Sequence, residues 1–169
     1  VTELSLTPRF DAAAALALDI ERQHHNGRAG WEQLIRFSFV DRQPDGYYRL
    51  HRTMREAHGT RVSSDDGTAV LQWFLNYWTS SEEPALTWFH RWILEPEGAL
   101  EDWDSKHKAA LKQSRIPEAR KLLTWWEAIP LDESNRALVG DQLWARTHRT
   151  LATSLVDTPC LLVAPAVTS

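Results

Sequence analysis

The chain contains one cysteine, Cys160, so no internal disulfide can form. That thiol usage fits a reducing compartment, and a cytoplasmic location is expected. No apolar run approaches the ~20 residues that span a bilayer, so no membrane partner is expected. The opening Val-Thr-Glu-Leu-Ser has neither a basic stretch nor an apolar core, so no secretory signal is read there. Val rather than Met at position 1 is what a fragment, a processed chain or an alternative start would show.

Glycine is scarce too. The seven glycines stand at 27, 30, 46, 59, 67, 98 and 140, and no two form a Gly-x-Gly or Gly-x4-Gly-Lys loop that would cradle a phosphate. No nucleotide is held by that route. There is no His-Glu-x-x-His, and His24 and His25 are adjacent, so on a helix they would point ~100° apart. No metal site is expected. Cys160 has no nearby histidine to activate it, and the sequence offers no catalytic residue. Glu95, Glu97, Glu101, Asp102 and Asp104 lack the alternating ligands around a central Gly that calcium needs, and read as helix-start charge. Charge of one sign is missing as well: 19 basic residues face 23 acidic ones, for a net −4. A strong nucleic-acid footprint is not expected of that balance.

What is present is an ordinary globular composition, 43% hydrophobic and 25% charged over 169 residues. Tryptophan is the exception, with nine copies. Phe10 to Arg22, rich in alanine, reads as a helix, and Trp31 to Arg36 as a short second one. Phe37 to Val40 and Tyr47 to Leu50 are strand-like, and Pro44-Asp45-Gly46 between them is a turn. A β-hairpin follows from that, with a helix from His51 to His58 after it.

The polar stretch Ser63-Ser64-Asp65-Asp66-Gly67 reads as a linker over 63–68. Helices are expected at 69–79, 84–94, 98–113, 117–129 and 133–156, with Pro84 and Pro117 near helix starts and Asp132 as an N-cap. On the last of these, Ala137, Trp144 and Leu151 recur every seven residues beside Leu138, Ala145 and Ala152, an apolar stripe about two positions wide. Val139-Gly140, Leu143 and Ala152 partly match tetratricopeptide spacing. The expected architecture is mainly α. It comprises a small winged-helix-like unit with one hairpin (1–62), the linker, a helical, repeat-like arm (69–157) and a tail (158–169).

The tryptophans admit two readings. Trp88 and Trp92 lie four apart on one helical face, Trp73 and Trp78 five apart, and Trp125 and Trp126 side by side. They are either core packing or, at Trp88 and Trp92, an exposed aromatic surface for a partner.

The run from Trp31 to Glu56, Trp-Glu-Gln-Leu-Ile-Arg-Phe-Ser-Phe-Val through Leu-His-Arg-Thr-Met-Arg-Glu, resembles the winged-helix segment that closes the nucleotide-binding core of STAND-class NTPases. Those are multidomain signalling ATPases, and bacterial members often continue into tetratricopeptide arrays. Lys106 to Leu111 is similar to their helical spacer. In that family a histidine at the strand–helix junction contacts the phosphate of bound ADP, and His51 occupies that position here. Leu50 stands where many members have Met, and Arg52 where many have Asp. The resemblance implies that ADP or ATP is a cofactor only with an upstream core present, and that His51 senses it only within a longer parent. The alternative for His51 is a residue that caps or packs at the junction.

The function expected is that of a non-catalytic regulatory module, whose partner is another protein or the rest of a larger chain. A winged-helix DNA-binding regulator is the competing class. Arg36, Arg42, Arg49, Arg52, Arg55 and Arg61 make that region locally basic, and Arg49, Arg52 and Arg55 are the candidate contacts to DNA or a partner.

Overall fold

The structure is a computed structural model that describes residues 1–59, 64–127, 136 and 139–158. Asp132, Ala137, Leu138, Arg61 and the expected tail beyond Thr158 lie outside those residues. The described chain is mainly helical with one small antiparallel sheet, as the residue pattern implies.

A 3-10 turn, Glu3–Leu6, leads to Phe10 and then to α1 (Ala12–Glu21) and α2 (Gly27–Leu34). Asp11 starts α1, its side chain accepting the Ala14 N–H at 2.7 Å. Strands β1 (Val40–Arg42) and β2 (Tyr48–Leu50) pair in the register Val40↔Leu50, Asp41↔Arg49, Arg42↔Tyr48. Phe10 adds a bridge to this hairpin, exchanging backbone bonds of 2.9 and 2.7 Å with Tyr48. The hairpin turn forms as Pro44-Asp45-Gly46 requires: Gly46 takes φ 88°, and its N–H reaches the Gln43 carbonyl at 3.1 Å. Helix α3 (Arg52–Gly59) follows.

The rest is an all-helical run of α4 (Ser64–Ser80), α5 (Pro84–Leu94), α6 (Pro96–Lys112), α7 (Ile116–Glu127) and α8 (Asp141–Asp157). Pro84 and Pro96 occupy the first turn of their helices, where the missing N–H costs nothing.

Four local expectations need correction. The first strand does not cover 37–40, because Phe37, Ser38 and Phe39 form turns that carry the chain on from α2. The Val40 N–H closes one of them on the Phe37 carbonyl at 3.0 Å. Positions 64–68 of the expected linker are instead the first turn of α4. Ser and Asp mark turns and helix starts alike, and here Asp65 and Asp66 sit where the helix dipole favours negative charge. Arg22, which caps the end of α1, pairs with Asp66 and fixes that end. The long helix over 133–156 is interrupted at Gly140, whose φ of 82° and ψ of 157° no helix contains. Lastly, Trp144 and Leu151 of the apolar stripe do pack inward, but Ala145 and Ala152 face solvent. The positions buried beside the former pair are Thr147 and Ser154.

Two apolar clusters hold the fold. In the first, Leu4, Leu6, Phe10, Ala14, Leu18, Leu34 and Leu50 pack against Val70, Leu71, Phe74 and Trp78 of α4. The second gathers Trp88, Phe89 and Trp92 of α5, Ala99, Leu100 and Trp103 of α6 and Trp126 of α7, with Trp144 and Leu151 of α8 against them. Ile93 packs on both clusters, so among the described residues the two cores are joined.

Candidate functional site

The junction between β2 and α3 concentrates the charged candidates. Leu50 points into the first core, so the pleat turns its neighbour Arg49 outward. The His51 N–H continues the ladder to the Phe39 carbonyl at 2.9 Å. Its own carbonyl accepts the N–H groups of Met54 and Arg55 at 3.0 and 3.1 Å, so the same residue ends a strand and opens a helix. The imidazole Nε2 lies 3.0 Å from Asp41 Oδ1 on β1, and both side chains are nearly half exposed.

A shallow depression of about 510 Å³ runs past Asp41, Arg49, His51, Arg52 and Arg55. Of the three candidate arginines, Arg49 and Arg52 are exposed, and Arg52 is held by Glu56 at 2.6 Å, one helical turn on. Arg55 differs: it is only 3% exposed and belongs to the interior, so it is not a surface contact as expected. A wall of this kind offers an anionic group two guanidiniums and an imidazole. Asp41 reduces that positive charge and was not singled out in the sequence. Its position opposite Arg49 in the hairpin register was the signal available.

The aromatic candidates land elsewhere. Trp88 and Trp92 are 4% and 0% exposed, in the second core and not on a partner surface. Their indole N–H groups are spent internally, Trp88 on the Ala99 carbonyl at 3.0 Å and Trp92 on Thr147 Oγ1 at 3.3 Å. Trp126 is their edge-on neighbour, 4.7 Å from Trp88 and 5.3 Å from Trp103 between ring centres. Such pairs add about 0.5–1.5 kcal/mol each beyond the area they bury. Six indoles from four helices, Trp125 and Trp144 among them, meet in this one cluster and explain most of the tryptophan excess.

Comparison with protein-family models, with curated proteins and with solved structures finds no match. The reading of the site therefore rests on its own chemistry. Among the described residues, no three His, Cys, Asp or Glu side chains are grouped to hold a metal ion, and no helix is long and apolar enough to cross a membrane. Cys160 lies outside the described residues.

The tip of the hairpin is tied down rather than presented. Arg9 pairs with Asp45 at the turn at 2.7 Å, and its guanidinium lies 4.3 Å from the centre of the Tyr47 ring. The Tyr47 hydroxyl faces Glu83 in the α4–α5 connection. Burial first, and then that carboxylate, push its pKa well above the ordinary tyrosine value.

Proposed function

We propose that the chain is a non-catalytic regulatory module, a winged-helix-like unit whose helical extension binds another protein or another part of a larger chain. In this reading it acts in the cytoplasm and is related to the lid of a STAND-type signalling ATPase. The observation that carries it is His51, at a strand–helix junction, its half-exposed imidazole 3.0 Å from Asp41 in a depression that Arg49 and Arg52 also line. Further support comes from the order of elements, a bridge at Phe10, two helices and then a hairpin paired back to that bridge. His51, Arg49 and Arg52 would face the phosphates of ADP, and the remaining walls of such a site would come from an upstream core. This wall alone offers too few contacts to hold a nucleotide, so the isolated chain does not bind ADP.

The coding sequence upstream of Val1 tests the relation to ATPases. A Gly-x4-Gly-Lys loop there supports it, and its absence overturns it. In a parent carrying that loop, His51→Ala weakens ADP binding measured by calorimetry by about tenfold, the scale of one charge-assisted hydrogen bond. Unchanged affinity removes His51 from the site.

A DNA-binding role has one observation in its favour, the exposure of Arg28 on α2 and of Arg42 and Arg49 on the hairpin. The anchored, acidic hairpin tip weighs against it, since Asp45 stands where a wing meets phosphate. A gel shift with duplex DNA at low salt separates the two readings. Salt-sensitive binding would favour the DNA role, and no binding excludes it.

A further inference from the structure

Of the three asparagines, at 26, 76 and 135, only Asn26 precedes a glycine. A side-chain amide in that position is open to one particular reaction. The next backbone nitrogen can attack the amide carbon and close a succinimide ring, and glycine has no side chain to hinder the approach. Tyr77 after Asn76 and Arg136 after Asn135 do hinder it. The fold requires the glycine: Gly27 has φ 54°, a left-handed value that glycine adopts without cost, so the Asn-Gly pair belongs to the corner between α1 and α2.

Asn26 is exposed and stands just before α2, where an asparagine ordinarily caps the helix. Here its side chain caps nothing. It turns instead to Asp19 on α1. Asn26 Nδ2 donates to Asp19 Oδ1 at 2.8 Å, and the Gly27 N–H donates to Asp19 Oδ2 at 2.8 Å. One carboxylate therefore holds both partners of the ring closure, the amide that would leave and the nitrogen that would attack.

This grip opposes the reaction in two ways. The Gly27 N–H first, and then the Asn26 amide, keep the Asp19 carboxyl below its ordinary pKa, so it stays charged and is a poor base. An N–H given to an anion is harder to ionise. Asn26 is also held in the helical range, at φ −76° and ψ −29°, and must rotate out of it before the ring can close. Water is at hand, since Asn26 and Gly27 line a cleft of about 210 Å³ between the 3-10 turn, α1 and α2.

We propose that Asn26 is a deamidation site held latent by Asp19, and that its conversion sets a second carboxylate against the first at the α1–α2 corner. In the reaction the Gly27 nitrogen loses its proton to solvent and bonds to Asn26 Cγ. The Cγ–Nδ2 bond breaks, and Nδ2 leaves as ammonia with a proton taken from solvent. Water then adds to either carbonyl of the ring, giving aspartate or isoaspartate at position 26. Either product removes a donor to Asp19 and makes the net charge of −4 more negative. Isoaspartate also lengthens the backbone where α2 begins. The tie at the corner is thereby released, beside His24 and its pair with Glu3.

The test incubates the whole chain in mildly alkaline buffer, with and without concentrated urea. Peptide mass mapping follows the amide-to-acid mass gain at residues 26, 76 and 135, and an isoaspartate-specific assay detects the ring-derived product. In urea, Asn26 is expected to react before the other two asparagines. In the native parent it is expected to react far more slowly. Native Asp19→Ala is expected to react at Asn26 about tenfold faster than the native parent, the scale of a hydrogen bond to a charged group. Asp19→Asn keeps an uncharged acceptor and should fall between, and it carries the test if Asp19→Ala does not fold. Thr158→Val, at the far end of α8, should leave the rate at the parent's value, which separates loss of Asp19 from a general loss of stability.

Equal rates in the native parent and the Asp19 variants overturn the proposal. So does an equal acceleration in Thr158→Val, a native parent that reacts as fast as the unfolded chain, or a mass gain that appears first at another asparagine.

Discussion

His107 Nε2 stands 2.9 Å from Thr158 Oγ1, in the buried seam between α6 and the end of α8. The Thr158 hydroxyl donates its own proton to the Ser154 carbonyl at 2.7 Å, so the imidazole must be the donor in the pair. Trp103 stacks flat on the same ring at 5.2 Å. Thr158→Val keeps the shape and removes the acceptor. It leaves a buried N–H unsatisfied and is expected to cost about 1–3 kcal/mol in urea unfolding. Thr158→Ser keeps the hydroxyl and should lose about 1 kcal/mol at most. Equal stability of the Val variant and the parent would remove this bond from the account of how α8 is held.

His90 links stability to pH. It is fully buried, stacked on Phe74 at 5.2 Å, with Nδ1 donating to the Leu86 carbonyl at 2.8 Å. Burial holds its pKa down to about 3, against an ordinary value of 6.5, the backbone bond opposing only in part. The unfolded chain thus takes up a proton near 6.5 that the folded chain refuses until about 3. Stability is complete above 6.5 and declines as pH falls through that window, by ~1.4 kcal/mol per pH unit for one proton. Burial lowers His107 too, against the pull of Asp104 and Asp157, and it contributes with the same sign. Urea midpoints measured from neutral pH to about pH 4 should fall steeply for the parent and less steeply for His90→Leu. Parallel slopes would show that His90 is not the group responsible.

Three helix ends carry a left-handed residue that is not glycine. Gln23, Glu82 and Ser114 have φ of 55°, 57° and 57°, and the residue after each reaches five positions back. His24 bonds to the Asp19 carbonyl at 3.0 Å, Glu83 to Trp78 at 3.0 Å and Arg115 to Ala110 at 2.8 Å. A side chain in that conformation costs about 1–2 kcal/mol, part of which glycine would lose again as chain entropy. Ser114→Gly is therefore expected to stabilise the protein by about 0.5–1 kcal/mol, read as a raised urea midpoint. A lowered midpoint would contradict the backbone geometry at that turn.

The tryptophan cluster sets the largest single-residue effects. Trp103 is wholly buried, its indole bonded to the Leu122 carbonyl at 3.1 Å and its ring between His107 and Trp126. Trp103→Ala should cost about 3–5 kcal/mol. None of the nine tryptophans is exposed, so acrylamide should quench the native emission weakly, and unfolding should restore full quenching. Strong native quenching would be incompatible with this packing.

Much of the fold was legible because its signals are local. Pro44-Asp45-Gly46 marked the hairpin turn, and Pro84 marked the start of α5. The misread points share a cause: the same residues serve two purposes. Ser64, Asp65 and Asp66 look like a linker until Arg22, distant in sequence, binds Asp66 and makes them a helix start. Phe37 and Phe39 look like a strand by type, yet they stack on each other at 4.9 Å across a turn. Trp88 and Trp92 form one helical face, but periodicity alone does not tell whether that face meets solvent or other indoles. The Trp125-Trp126 pair held more information, since adjacency on a helix allows only one of the two to be central. The helix ends before Gln23, Glu82 and Ser114 fall within a residue of the expected 22, 79 and 113, although no glycine announces them.

Ile93 belongs to both apolar clusters, and α4 and α5 lie between the hairpin and the tryptophans. Among the described residues, packing is continuous from the first cluster to the second. Heating should melt hairpin and helices together in a single cooperative step, and a protease that nicks one part should release the other unfolded. By the same token, a push on the hairpin bears on α4, whose Val70, Leu71, Phe74 and Trp78 share its core. It must arrive at the indoles of α5 as a change in their packing, so tryptophan emission becomes a natural reporter of whatever docks on the distant face beside His51.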